Sequence, residues 1–333
     1  MPYRLSAALL AAALCFLAAC APQSAPASSS APEPPPPEPA SFTWDEPTPY
    51  SFTDALGNEV TVDRPQRVVS FYGSFAEMWL LAGGTLIGTT DDAVTERKLP
   101  LGEEVAVIGG TRSPSLEATL SLEPDLVLLS ADTDAHVKAA ETLRAAGIPC
   151  AFFRVDTLED YVLAMKICTG ITGRDDLFEE NALAVQRQAR EIVQKVRPRA
   201  GEKAPTALLI RAYSTGAKAK GADNLAGVIL RDLGAENIVD RHPSLLEDLS
   251  IEEIIAEDPD FIFVTIMGSS TQKALDALAQ GIQQNPAWAG LSAVQNGRYI
   301  ILPEDLFHYK PNKRWGESYG YLANILYPEV PLD

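Results

Sequence analysis

The side chains best able to do chemistry in this sequence are cations and aromatic rings, gathered at a few loop positions of a chain whose formal net charge is −18. Tyr72, Arg112, Tyr213 and Lys218 each follow a short apolar run, with Arg211 and Lys220 beside the last two. His308, Tyr309 and Lys310 stand together, and Lys313, Arg314 and Trp315 follow them. Guanidinium and ammonium groups meet carboxylate or catecholate oxygens, and rings cover apolar faces, so the set suits a bulky anionic chelate in a cleft. The same residues also suit ordinary solvated loops, and the residue types alone leave both readings open.

A second pair of charges is written twice. Residues 115–129 read SLEATLSLEPDLVLL and residues 250–264 read SIEEIIAEDPDFIFV. Ser115, Glu117, Pro124 and Asp125 match Ser250, Glu252, Pro259 and Asp260 in register. Each copy predicts a short helix, a turn at the proline and a buried strand of the length parallel sheets use. Glu117 and Glu252 would each sit exposed near a helix N-terminus, where the helix dipole favours a carboxylate in any case.

Catalytic patterns are absent from the sequence. There is no G-x-S-x-G, Walker A, H-E-x-x-H or G-x-G-x-x-G run, and TGAKAKGAD has the wrong spacing for a phosphate loop. The chain therefore does not read as an enzyme, and no intrinsic cofactor is expected. Its acidity argues against nucleic acid as a partner. Of the three histidines, His136 lies in a helical pattern and His242 precedes a proline, so both read as structural or surface residues. His308 and Tyr309 are of types that bind haem iron axially, a role needed only if the ligand is haem. Cys150 and Cys168 read as buried, small apolar side chains.

The elements that must position these groups follow from the order of the chain. Residues 1–19 carry Arg4 and an apolar run and end in Leu-Ala-Ala before Cys20, which resembles a bacterial lipobox. Cys20 would then be the acylated N-terminus, held at a lipid bilayer. Residues 20–48 are Pro-, Ser- and Ala-rich and predict an extended tether. Residues 49–172 alternate short strands with helices and predict an N-terminal α/β lobe. Residues 173–198 form the longest helical pattern, acidic early and basic late, ended by Pro198. Residues 199–333 predict a C-terminal α/β lobe, with a Gly- and Lys-rich loop over residues 214–224. The fold class expected is α/β: two lobes, each with a central, mainly parallel sheet flanked by helices, joined by one long rigid helix. A stiff spacer favours small rocking over wide hinge closure.

Several stretches carry a family resemblance: TDALGNEVTVDRPQRVVSF, GGTRSPSLEATLSLEPDLVLL, LRAAGIPCAFFRVDTLED, NLAGVILRDLGAENIVD, LSIEEIIAEDPDFIFVT and NPAWAGLSAVQNGRYIILPEDLF. The sequence resembles the substrate-binding lipoproteins of bacterial ABC importers for iron-siderophores, haem and vitamin B12, from about residue 50 to the end. The resemblance implies a monomer outside the cytoplasm, with ligand held between the lobes and delivered to a permease dimer and its ATPase. It implies that Glu117 and Glu252 engage permease arginines, and that Arg112 corresponds to a ligand-contacting arginine, at a spacing that differs by about one residue. A ferric siderophore or haem is the ligand expected first. A corrinoid, a metal oxyanion, or a sensor role without a permease are the alternatives.

Overall fold

The structure is a computed structural model that describes residues 49–332, except Ser269 and the side chain of Glu202. The leader of residues 1–19, Cys20 and the tether to residue 48 lie outside the described residues. The described body opens with the antiparallel hairpin of Tyr50–Thr53 and Glu59–Val62. Its turn is held by Asp54, whose Oδ1 accepts from the amides of Leu56 and Asn58 at 2.9 Å.

Five parallel strands make the first sheet, in the order Ala106–Val107, Gly88–Thr89, Val68–Ser70, Leu126–Ser130 and Cys150–Phe153. Every residue of Leu126–Ser130 and of Cys150–Phe153 is buried, as expected for strands covered on both faces. Val69, Phe71, Val127, Leu129, Leu143 and Phe152 form the core there. The second sheet runs in the order Gly216–Ala219, Thr206–Tyr213, Phe261–Ile266 and Tyr299–Ile301, with Glu236–Asn237 also beside Thr206–Tyr213. Its pairings are parallel except that of Gly216–Ala219. The chain is thus α/β, with two parallel-sheet lobes flanked by helices.

The sequence reading of residues 214–224 as loop is corrected here. Gly216–Ala219 folds back antiparallel on Thr206–Tyr213, with Arg211 opposite Lys218 and Tyr213 opposite Gly216. Gly and Lys are poor strand formers, and the hairpin register rather than propensity holds them extended.

Between the lobes runs one helical stretch: Asp175–Phe178, a π-turn at Glu179–Leu183, then Ala184–Glu202. It continues past Pro198, where the sequence reading ends it. A proline in the closing turn forfeits one amide donor yet keeps a helical φ. Ala182, Val185, Ala189, Ile192 and Val196 form its buried stripe, and the last helix, Trp315–Leu326, packs along it.

The repeated sentence folds twice in the same way. Ser115 Oγ accepts from the amide of Ala118 at 3.2 Å, and Ser250 Oγ from that of Glu253 at 3.3 Å, so each serine caps its helix. Glu123 and Asp258, in register with each other, both take left-handed backbone at φ 48° and 39°. Asp125 then accepts from the amides of Gln66 and Arg67, at 2.8 Å each. Asp260 accepts from the amide and the hydroxyl of Thr206, at 3.0 Å each. In both copies the aspartate clamps the start of the neighbouring parallel strand, which fixes register at the strands' amino ends.

Candidate functional site

The carboxyl ends of the parallel strands and the loops beyond them are where ligands gather in open α/β sheets. Tyr72 leaves the strand Val68–Ser70 and precedes the helix Gly73–Leu81. Asp91 and Asp92 leave Gly88–Thr89, and the short helix Asp92–Thr95 carries the chain to Glu96 and Arg97. From the other lobe, the helix Glu304–Phe307 delivers His308 and Tyr309. Tyr72 and Tyr309 both stand close enough to Arg97, Asp92 and Glu96 to feel their charge, so these residues of both lobes form one neighbourhood.

That neighbourhood is aromatic and acid-rich. Burial, then Asp92 and Glu96, push the Tyr72 phenol up to about 12. Burial, then Glu96 and Glu304, push Tyr309 to about 12 as well. His308 stacks on Tyr309 with ring centroids 4.6 Å apart. Burial lowers the His308 pKa, and its Nδ1 is buried without a hydrogen-bond partner. Glu96 is raised by burial first, then by Asp92, Asp91 and Glu304. Asp92 is the buried member of this group. Its Oδ2 accepts from the Gly73 amide at 2.7 Å and its Oδ1 from the Thr90 hydroxyl at 2.5 Å, which anchors the first helix.

Several residues expected in the cleft are already paired or buried. Lys310 Nζ pairs with Asp156 of the first lobe at 2.9 Å. Arg314 pairs with Asp305 at 2.6 Å and Glu317 at 2.8 Å. Trp315, expected as a cleft aromatic, is fully buried at 0% exposure, where the last helix begins. Lys220 reaches Asp223 at 3.2 Å. Of the nominated cations, Arg112 and Lys218 are exposed and Arg211 is half-buried; none of the three makes an ion pair among the described residues. Tyr213 lies half-buried at the end of its strand, and Arg112 at the tip of the small hairpin of Gly109–Gly110 and Ser113–Pro114.

The sequence reading missed Arg97, Glu96 and Glu304. Arg97 is the hub: it pairs with Glu77 and donates from Nη1 to the Lys310 carbonyl at 2.7 Å. Burial brings its pKa down to about 10. Asn312, with no exposed surface, donates from Nδ2 to the Ser74 carbonyl at 2.9 Å and to Glu77 Oε2 at 2.7 Å. The segment of residues 310–312 is thus a strap from the second lobe bonded into the first. The signal available was the run Thr90-Asp91-Asp92 through Glu96-Arg97 directly after a short strand.

His136 is structural, as expected, and it supports the Arg112 hairpin. Its Nδ1 accepts from the Ser130 amide at 3.0 Å, and its Nε2 meets the Thr111 carbonyl at 2.7 Å. With an amide on one nitrogen and a carbonyl on the other, the ring is a neutral imidazole protonated at Nε2. Glu117 and Glu252 are both exposed in the first turns of their helices, and Ser250 Oγ donates to Glu252 Oε2 at 3.2 Å. Cys150 and Cys168 are free and buried. Among the described residues no group of His, Cys, Asp or Glu is placed to hold a metal ion, and no helix is long and apolar enough to cross a membrane.

Comparison with known proteins agrees with this architecture. A Bacillus subtilis chain provisionally named as the ABC transporter substrate-binding lipoprotein YhfQ is 26% identical over 263 residues, covering 74% of this chain and 78% of that one. The Fe(3+)-citrate-binding protein YfmC of the same organism is 24% identical over 260 residues, covering 76% and 78%. A solved periplasmic heme-binding protein from Pseudomonas aeruginosa superposes with a TM-score of 0.64 at 22% identity, covering 80% of this chain and 94% of that one. The family model described as periplasmic binding protein matches residues 68–306, from the first strand of one sheet to beyond the last strand of the other, and the chain belongs to that family.

Proposed function

We propose that this protein captures an iron chelate, a ferric siderophore or haem, between its lobes and delivers it to an ABC permease. The observation that carries the reading is the meeting of Tyr72 from one lobe with Tyr309 and His308 from the other, around Arg97, in a chain of the periplasmic binding protein family. The names of YfmC and of the Pseudomonas protein supply the ligand classes.

Glu117 and Glu252 support the delivery step. Two structurally equivalent copies each present a carboxylate in the first turn of a Ser-capped helix, a pair of anions suited to arginines on a permease dimer. The protein acts as a monomer outside the cytoplasm, anchored through acylated Cys20, with no catalytic step and no resident cofactor. Isothermal titration against haem, ferric citrate, a ferric catecholate, a ferric hydroxamate and cobalamin tests the reading. Sub-micromolar binding of one iron complex is expected; binding of cobalamin alone, or of none, overturns it.

A further inference from the structure

The loop of residues 308–314 is a finger that the second lobe extends over the first. It leaves the short helix Glu304–Phe307 and runs into the last helix, Trp315–Leu326. Its base is stapled to itself: Arg314 Nη1 pairs with Asp305 at 2.6 Å, and the Ser318 hydroxyl donates to the Leu306 carbonyl at 3.1 Å. The two sides of the finger are thus tied together apart from anything the tip meets. That tip, residues 310–312, bonds to three separate segments of the first lobe.

Those three segments leave the carboxyl ends of three strands of the first sheet. Arg97, beyond Gly88–Thr89, donates to the Lys310 carbonyl at 2.7 Å. Ser74 and Glu77, on the helix after Val68–Ser70, accept from Asn312 Nδ2 at 2.9 and 2.7 Å. Asp156, beyond the edge strand Cys150–Phe153, accepts from Lys310 Nζ at 2.9 Å. In sheet order these strands span three spacings, roughly 14 Å, so the finger lies across the carboxyl edge of the sheet. The grip is uneven. Asn312 has no exposed surface and the Arg97 side chain is 9% exposed, whereas the Asp156 side chain is 47% exposed. A half-solvated ion pair is weak and screened by salt, while buried bonds are costly to break. One side of the finger is therefore fixed and the other releasable.

We propose that Asp156 is a positioning residue for ligand binding: through Lys310 it latches the exposed side of the finger, and parting of that pair is the motion that opens the cleft. This rests on the reading of the cleft as an iron-chelate site. His308 and Tyr309 directly precede Lys310 and stack on each other, so what holds Lys310 holds both rings against the first lobe. Asp156 acts on the ligand only through Lys310. With the pair open, the finger pivots about the buried bonds of Asn312 and Arg97 and carries the two rings outward. Because that pivot stays made, the motion is a small rocking and not a wide separation of the lobes.

The test uses the purified full-length protein with nitroxide labels at Glu141→Cys in the first lobe and Gln272→Cys in the second, both exposed positions. Cys150 and Cys168 are buried and stay unlabelled. Pulsed electron-spin resonance reads the distance between the lobes without ligand. Stopped-flow absorbance reads dissociation of haem, ferric citrate, a ferric catecholate and a ferric hydroxamate. Asp156→Asn and Lys310→Met are each expected to broaden the distance distribution and to raise the dissociation rate about threefold or more, as loss of a pair of this exposure implies. The charge-swapped double variant, Asp156→Lys with Lys310→Asp, is expected to restore both, which a merely structural role would not do. Raising NaCl from about 0.05 M to about 1 M should speed dissociation more from the parent than from Asp156→Asn. Melting temperatures confirm that the variants are folded, and the salt comparison decides alone should the swap fail to fold. Distances and rates equal to the parent's, or a folded swap that restores neither, overturn the proposal. Broadened distances with unchanged rates overturn it too, while leaving the iron-chelate reading in place. Silence toward all four iron complexes overturns the iron-chelate reading and this proposal with it.

Discussion

Replacing Asn312 by alanine should weaken the union of the two lobes more than any comparable change at the protein surface. Asn312 is fully buried and holds left-handed backbone at φ 51°. Its amide nitrogen makes two bonds into the first lobe, one to the Ser74 carbonyl and one to the Glu77 carboxylate. The neutral bond contributes about 0.5–1.5 kcal/mol and the charge-assisted one about 1.5–3 kcal/mol. Forcing alanine into left-handed backbone costs a further 1–2 kcal/mol, roughly. Against this, Asn312 Oδ1 is buried without a partner, and removing it returns about 1–2 kcal/mol. The net expectation is destabilisation of about 3 kcal/mol. Asn312→Gly separates the contributions: it loses the same bonds without the backbone strain, so it should lie about 1 kcal/mol above the alanine variant. Urea denaturation of both variants and the parent measures these differences, and small-angle scattering reads whether the lobes separate. An alanine variant within 0.5 kcal/mol of the parent, roughly the scatter for an ordinary surface change, would refute the strap as an energetic link.

Other expectations concern docking, ligand and pH. Glu117→Ala combined with Glu252→Ala should leave chelate affinity intact and abolish uptake in cells; a large loss of affinity in titration would remove both from the docking role. Arg112→Ala should weaken binding of a charged ligand by about 1–3 kcal/mol, since the guanidinium has no internal partner to lose, and unchanged affinity would take it out of the site. His136 is lowered from 6.5 chiefly by burial, with the Thr111 carbonyl and Asp92 acting in the opposite direction. A base with a depressed folded pKa contributes stability that is full above pH 6.5 and lost as pH falls through the folded value. Denaturation midpoints should therefore fall as pH is taken below 6.5, and His136→Gln should start lower but change less with the same acidification; parallel profiles would assign the fall to other groups.

The sequence revealed most where one segment does one local job. The two-fold sentence at residues 115–129 and 250–264 gave helix, turn and buried strand because a serine cap, a proline and a continuous apolar run act within a few residues of each other. It also gave Asp125 and Asp260 as equivalent, although their shared role, clamping the neighbouring strand, needs partners 58 and 54 residues away. The left-handed backbone at Glu123 and Asp258 was not legible, because neither residue is the glycine that normally marks such a turn. The strand Gly216–Ala219 was hidden for a related reason: its composition signals a loop, and only pairing with Thr206–Tyr213 makes it extended.

Charge was the least legible property of the site, and the cause is distance along the chain. Lys310 is a free cation in the sequence, but its carboxylate partner lies 154 residues earlier. Arg97 looks like one more surface residue until Glu77 and the Lys310 carbonyl, 213 residues away, close around it. Counting cations in nominated loops therefore gave a basic cleft, whereas Arg97, Lys310 and Arg314 are each paired with a carboxylate in the fold. A net charge of −18 makes that outcome reasonable: with carboxylates in excess, most cations that fold near one are neutralised by it. Among the nominated cations, Arg112, Arg211, Lys218 and Lys313 are without an ion pair among the described residues, so those four, and not the number of cations in the sequence, are what an anionic ligand has left to meet.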